Sequence, residues 1–392
     1  MYAKRRSTPR ALLQLPKCSR QRHYTTQSTR QNNTDPGLLR NRTRNIQYAF
    51  DPVNIPTEKR PSNPFPFLGR QRIAFPIFQH ANAIAPSTIG VPWPTLLPSS
   101  LQSKYWIEVE EAAKAFTQEI LARRSKDKET KYFDAMIDAA VSLLVNAVPM
   151  GNLTRMKILT KLYVFFFMSD DVVDSGNRVT MISSHDALQQ EPGSDITVYD
   201  MLAREILSED TIQGVRLLES VISWVSATQK NPPESFPTLK DYMTYRVGDV
   251  GVRAVFRSVE FACDIPLSET DLEAVSRLRS LCEKHFLLTN DLYSYAKEAI
   301  AEQTRGDPVL NAVRVVQRFM NTSVALATAI VRQVIRDVEH QMNDEYEHLA
   351  QGATNAQLIY AQGLITAVAG NMFFSATCPR YARAVQGSRL HA

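Results

Sequence analysis

Cysteine is scarce in this 392-residue chain: Cys18, Cys263, Cys282 and Cys378 form neither a CxxC pair nor a closely spaced ladder. Zinc-finger and disulfide-scaffold architectures are thereby excluded, and reduced intracellular thiols are expected. The seven histidines contain no HExxH pair, which removes the common zinc-hydrolase pattern. Long apolar runs are missing as well. The longest, Leu162–Met168, falls far short of the roughly 18 residues a membrane span needs, so no transmembrane segment is expected. Acids are absent before Asp35, while Lys4, Arg5, Arg6, Arg10, Lys17, Arg20, Arg22 and Arg30 all precede it. The formal net charge of +5 thus belongs to a tail, and the rest of the chain carries a small negative excess. Such a body has no general attraction for nucleic acid.

What is present is enough apolar residue, 44% of the chain, to build a substantial core. Residues 1–50 are rich in Arg, Gln, Asn, Ser and Thr and read as a disordered basic tail. Their acid-free, Arg-rich start also has the composition of a mitochondrial targeting segment, although Pro9 and Pro16 interrupt any helix there. A cytoplasmic protein is expected, with a mitochondrial one as the alternative. Removal of residues 1–50 is expected to leave activity unchanged.

Ten prolines fall between Pro52 and Pro98, a density that blocks helices and ladders. Yet the stretch carries Phe65, Phe67, Ile73, Phe75, Ile77, Phe78 and Trp93, so residues 51–98 read as a strap packed on a folded body. From residue 99 onward the texture becomes helical. Apolar periodicity predicts helices near 101–125, 132–149, 153–174, 196–207, 211–229, 238–262, 268–302, 308–350 and 355–377, with no competing strand pattern. The expected fold is all-α, a single helical domain over 99–392.

Three constellations carry chemistry. Asp170-Asp171-Val172-Val173-Asp174 follows the apolar run, and a helix would place Asp170 beside Asp174. Like charges repel there, and carboxylates at a helix C-terminus oppose the macrodipole. A divalent cation would reverse that penalty, and oxygen ligands suit Mg²⁺; a solvated acidic helix end is the plainer alternative. The second constellation is Asn290-Asp291-Leu292-Tyr293-Ser294-Tyr295-Ala296-Lys297-Glu298. Asn290, Ser294 and Glu298 recur every four residues, so an amide oxygen, a hydroxyl and a carboxylate line one helical face. Asn and Ser are poor mid-helix residues without a task, which favours a second Mg²⁺ site over a solvated turn. The third is basic. Arg246 precedes Gly248 and Gly251, where a helix should kink, and an ion pair to Asp249 is possible; Lys297 sits inside the second motif, and Arg380-Tyr381 follows the last long helix. Cations converging beside magnesium-binding faces describe a diphosphate site.

These residues resemble the class I terpene synthases, the terpene cyclases of the microbial, single-domain type. Asp170–Asp174 is similar to their DDxxD/E motif, and Asn290–Glu298 matches their (N/D)DxxSxx(K/R)E motif at every defined position. The resemblance spans about residues 70–385. It implies a helical bundle around a central cavity, three Mg²⁺ ions and a prenyl diphosphate substrate. It implies Asp170 as the main ligand of two ions with Asp171 and Asp174 in support, and Asn290, Ser294 and Glu298 as ligands of the third. Arg246 would sense the diphosphate, with Asp249 linking it to the break at Val250–Gly251, while Lys297, Arg380 and Tyr381 would bind the diphosphate. Phe167 would line the cavity. Tyr163, Phe166, Phe286, Phe373 and Phe374 are further aromatic candidates, each as readily plain core. Where relatives often place Trp before the Arg-Tyr pair, this chain has Phe373-Phe374. Farnesyl diphosphate is the expected substrate and a sesquiterpene the product. The alternatives are geranylgeranyl diphosphate, a chain-elongating prenyl diphosphate synthase, or a catalytically silent helical protein. The assembly would be a monomer or homodimer.

Overall fold

Capping chemistry sets where the helices begin. Thr197 and Ser268 accept from the backbone three residues ahead while Asp200 and Asp271 reach back to them, and Thr354 pairs with Gln357 in the same way. Each box satisfies backbone donors that a helix start would otherwise leave open. The computed structural model describes residues 43–53, 64–69, 76–123, 130–174, 197–306 and 309–390. Its helices are α1 (Trp106–Arg123), α2 (Thr130–Ala147), α3 (Leu153–Asp174), α4 (Val198–Glu209), α5 (Thr211–Thr228), α6 (Leu239–Asp249), α7 (Val252–Cys263), α8 (Glu269–Ala274), α9 (Ser276–Arg305), α10 (Ala312–Phe319), α11 (Val324–Ala350), α12 (Asn355–Thr377) and α13 (Pro379–Ala382). The fold is predominantly helical, as the periodicity implies.

Three of the expected helices are broken, each for a local reason. The 238–262 segment divides at Gly251, whose φ of +77° glycine adopts at little cost. The 268–302 segment divides at Val275, between α8 and α9. The 308–350 segment divides at Asn321, in the left-handed region at φ +48°, after which Ser323 caps α11. A fourth expectation fails differently. Ser100–Ser103 (β2), expected to open a helix, instead pairs antiparallel with Ala81–Ile84 (β1), Ala81 opposite Ser103 and Ile84 opposite Ser100. Proline density in the strap therefore did not exclude a ladder, because residues 81–84 are a proline-free gap whose backbone can pair.

Helix α12 runs through the middle, packed on α2, α7 and α9, and every residue from Tyr360 to Thr377 is buried. It is the one described helix long and apolar enough to cross a membrane, and those apolar residues are spent on the bundle core. At Gly370 it approaches α2 so closely that a Cβ would lie 2.0 Å from the Asn146 carbonyl oxygen. Helix α9 lies between α11 and α12 and carries the second motif. Cys263, Cys282 and Cys378 are free thiols, and Cys18 lies outside the described residues.

The described part of the strap is anchored by aromatics and by ions. Phe65, Phe67, Phe78 and Trp93 are buried, while Ile73, Phe75 and the Ile77 side chain lie outside the described residues. The Phe67 ring lies tilted 5.1 Å from that of Tyr346, and Trp93 stands 6.5 Å from Phe373. Glu339 on α11 accepts from Thr95 Oγ1 and, at 2.8 Å, from the Leu96 N–H, and it meets His285 Nε2 of α9 at 2.9 Å. The strap is thus keyed to the back of the motif helix.

The expected tail boundary at residue 50 needs correction. Residues 1–42 lie outside the described residues, but 43–50 are built into the bundle. Arg44 donates to Glu110 at 3.2 Å and to Asp138 at 2.6 Å. Tyr48 bridges to Arg389, and the Phe50 N–H donates to the Ala376 carbonyl at 3.1 Å. Phe50 is 5% exposed and meets Tyr293 of α9 edge-on at 5.3 Å; next to it, Asp51 pairs with buried Arg332. Composition misled because Arg44 and Tyr48 look like tail residues until their partners are known. Phe50→Ala should therefore cost about 3 kcal/mol by denaturant melting. A loss below about 1 kcal/mol would show that the segment only drapes over the surface. A deletion ending at residue 50 should lower stability and activity together.

Candidate active site

Helix α9 presents Asn290, Ser294 and Glu298 along one face, as their spacing requires. Ser294 Oγ donates to Glu298 Oε1 at 2.6 Å, and Asn290 Nδ2 donates to Tyr381 Oη at 2.9 Å. With its amide nitrogen occupied, Asn290 keeps its carbonyl oxygen as a ligand atom. The set is hard oxygen with one carboxylate, and Ser294 and Glu298 are close enough to share a cation. These residues fit a divalent ion such as Mg²⁺. Among the described residues no three of His, Cys, Asp and Glu form a metal cluster; the α9 set has one carboxylate beside an amide and a hydroxyl.

Helix α3 ends in Asp170–Asp174, so the expected helix terminus is where the aspartates stand; the side chains of Asp170, Asp171 and Asp174 lie outside the described residues. One turn earlier, Phe167 is half-buried. Its ring lies 6.4 Å from Phe374, edge to face, and the Arg380 guanidinium sits 5.9 Å from its centroid. Phe374 in turn stands 5.9 Å from Tyr381. A continuous series of contacts thus joins Phe167, Arg380, Phe374, Tyr381 and Asn290, residues up to 214 positions apart. Phe374, one of the two aromatics preceding the Arg-Tyr pair, joins the site ring by ring. The other aromatic candidates pack with core partners: Tyr163 with Phe166, Phe166 with Trp224, Phe286 with Phe256, and Phe373 with Trp93.

Arg246, on the last turn of α6, pairs with Asp249 and donates Nε to Asp291 Oδ1 at 3.2 Å. The Asp249 carbonyl accepts from Trp224 Nε1 at 2.9 Å. A Cβ on Gly251 would lie 3.2 Å from that same indole nitrogen. Arg246, Asp249 and the helix break therefore form one locked corner. Desolvation alone would lower the Arg246 pKa, but Asp291, Tyr242, Asp249 and Glu298 outweigh it and hold the guanidinium charged.

Asp291 was not expected to matter beyond filling its motif position. It is fully buried and faces away from the cation-holding side. Its carboxylate accepts from Tyr242 Oη, Arg246 Nε and, at 2.9 Å, the Ala312 N–H. Burial pushes its carboxyl up to about 6 and Glu298 adds to that, against Arg246, Tyr242 and the Ala312 N–H, which pull it down. Burial and Asp291 hold the Tyr242 phenol far above its ordinary value, so it remains a donor. Tyr242 could have been suspected from its i,i+4 relation to Arg246; Asn311 and Ala312 gave no signal, because their contacts cross elements.

Lys297 and Arg380 line a cavity of about 1450 Å³ between the ends of α2, α9 and α13 and the 44–47 segment. Arg44, Arg305 and Arg383 share its wall with Glu110, Asp134 and Asp138. Asn290, Ser294 and Glu298 do not line this cavity; its wall is rich in guanidinium groups, which suits an anion.

A helical bundle with amide, hydroxyl and carboxylate oxygens along one helix face fits a metal-dependent isoprenoid enzyme of the ionisation type. Residues 161–341 match the family described as terpene synthase family 2, C-terminal metal binding. The chain is 28% identical over 364 residues to terpene cyclase 6 of Gibberella fujikuroi, covering 86% of this chain and 94% of that one. It is 28% identical over 370 residues to terpene cyclase aneC of Aspergillus aculeatus, covering 87% and 82%. The fold matches the crystal structure of aristolochene synthase from Penicillium roqueforti with a TM-score of 0.60 at 20% identity, over 73% of this chain and 99% of that one. The chain is thus similar to fungal class I terpene synthases over most of its length, and the match supports a lyase of prenyl diphosphates that depends on a divalent metal.

Proposed function

We propose that the protein ionises farnesyl diphosphate and closes the resulting cation to a sesquiterpene hydrocarbon or alcohol, releasing diphosphate. The observation that carries this reading is the face of Asn290, Ser294 and Glu298, tied at one end to Tyr381 and through Asp291 to Arg246. Asp170, supported by Asp171 and Asp174, would hold two Mg²⁺ ions, and the α9 face a third. Bound there, Mg²⁺ would neutralise the leaving diphosphate.

The chain's own groups account for the rest. Arg246, Lys297, Arg380 and Tyr381 receive the charge of the diphosphate as the carbon–oxygen bond breaks. The 44–47 segment lines the cavity that Lys297 and Arg380 share, where it would help to keep water from the allylic cation. Phe167 already attracts a cation to its ring in Arg380, and the same electrostatics would stabilise a passing carbocation by about 0.5–2 kcal/mol. A C15 substrate is favoured because the fungal single-domain chains that this one resembles mostly make sesquiterpenes, and aristolochene synthase of Penicillium roqueforti is among its sequence relatives.

Purified protein with Mg²⁺ should convert farnesyl diphosphate to a cyclic C15 product, read by gas chromatography of the volatiles. The geranyl and geranylgeranyl diphosphates should give little cyclic product. A cyclic product from geranylgeranyl diphosphate alone would overturn the substrate, a longer linear diphosphate would indicate chain elongation, and no turnover at all would defeat the reading.

A further inference from the structure

The chain returns from α9 and starts α10 at Asn311, a fully buried residue bonded in three directions. Its Oδ1 accepts from the Val313 N–H at 2.9 Å, the bond that caps α10. Its Nδ2 donates to the Asp291 carbonyl at 2.8 Å and to Glu298 Oε2 at 3.1 Å. On either side, the Leu310 carbonyl accepts from Tyr242 Oη at 3.3 Å and the Ala312 N–H donates to Asp291 Oδ2. Residues 310–312 therefore sit across α9 like a saddle, with Glu298 on one flank and the Asp291–Arg246 pair on the other.

Glu298 is half-buried near the end of the motif face, and its flexible side chain could adopt several rotamers. Ser294 engages Oε1 and Asn311 engages Oε2, so both oxygens have a donor. The two donors differ in kind. A hydroxyl can donate to a carboxylate and still offer lone pairs to a cation, whereas an amide N–H can only hold the oxygen it faces. We propose that Asn311 is a positioning residue that holds Glu298 through Oε2, leaving Oε1 and Ser294 Oγ to the cation, and that ties this ligand to the Arg246 corner. This rests on Asn290, Ser294 and Glu298 being a cation site. The physical gain is preorganisation: the rotamer freedom of Glu298 is removed before a cation arrives.

The test is Mn²⁺ titration of the full-length protein with inorganic diphosphate present, read by electron paramagnetic resonance. Asn311→Ala is expected to weaken Mn²⁺ affinity by about 10–100-fold, the usual size for loss of a group that orients a metal ligand. Asn311→Ser keeps an N-cap oxygen but is too short to reach Glu298, so it should lose affinity likewise while α10 stays capped. Placed in a Glu298→Gln background, Asn311→Ser should add no further weakening, because its effect acts through that carboxylate. Wild-type affinity in Asn311→Ser overturns the proposal, whether or not Asn311→Ala folds. An additional loss of the same size in the Glu298→Gln background overturns it too, since it would mark a general packing role. Absence of Mn²⁺ binding by the unsubstituted protein would instead remove the cation site itself, and the proposal with it.

Discussion

Glu298→Gln is expected to lower turnover of the prenyl diphosphate by about 10³-fold while the protein keeps its helicity and its melting temperature. The size follows from removing the one carboxylate on the α9 face: several kcal/mol of charge stabilisation at the leaving group corresponds to roughly a thousandfold in rate. Retention of the fold follows from shape. A glutamine can accept from Asn311 Nδ2 with its carbonyl and offer its amide to Ser294, whose hydroxyl can turn. Raising Mg²⁺ should recover part of the loss. Near wild-type turnover at ordinary Mg²⁺ would dismiss Glu298 as a ligand.

The second large effect concerns stability. Asp291→Ala strips the common acceptor from Tyr242 Oη, Arg246 Nε and the Ala312 N–H, all in or beside the core. Leaving a buried guanidinium short of one counter-charge costs about 3–5 kcal/mol, and the stranded donors oppose recovery. The expected result is a lower denaturant midpoint with the transition slope unchanged. Asn290, Ser294 and Glu298 would still lie on one helix, but Arg246 would keep only Asp249 as a partner. Turnover measured below the new melting temperature should therefore also fall. A stability change under about 1 kcal/mol would mean that α6, α9 and α10 are held together elsewhere.

These two residues differ in how far they could be read in advance. Glu298 was legible because its relation to Asn290 and Ser294 lies within one helix, where a four-residue step dictates a shared face. Asp291 occupies the adjacent position, and motif membership alone gave it no role. Only the packing of α6 and α10 against α9 turned it into the acceptor for an arginine 45 residues away. The broken helices show the same division. The break at Gly251 was legible from its glycines, whereas continuous apolar periodicity on both sides hid the breaks at Val275 and Asn321. The 43–50 segment was misread for a related reason: a polar composition describes free chain equally well as chain whose charges have found partners such as Glu110 and Asp138.

By itself the sequence determined the helical character, the identity of the donor groups and the order of the motifs along the chain. Those properties come from covalent spacing and side-chain chemistry, which are the same in any packing. The tertiary structure decided which faces meet. It set Arg380 over the Phe167 ring, joined Tyr381 to Asn290, and placed Asn311 on the far oxygen of Glu298. Such pairings depend on the close packing of many helices at once, where a contact between distant residues is fixed by the shape of the whole core.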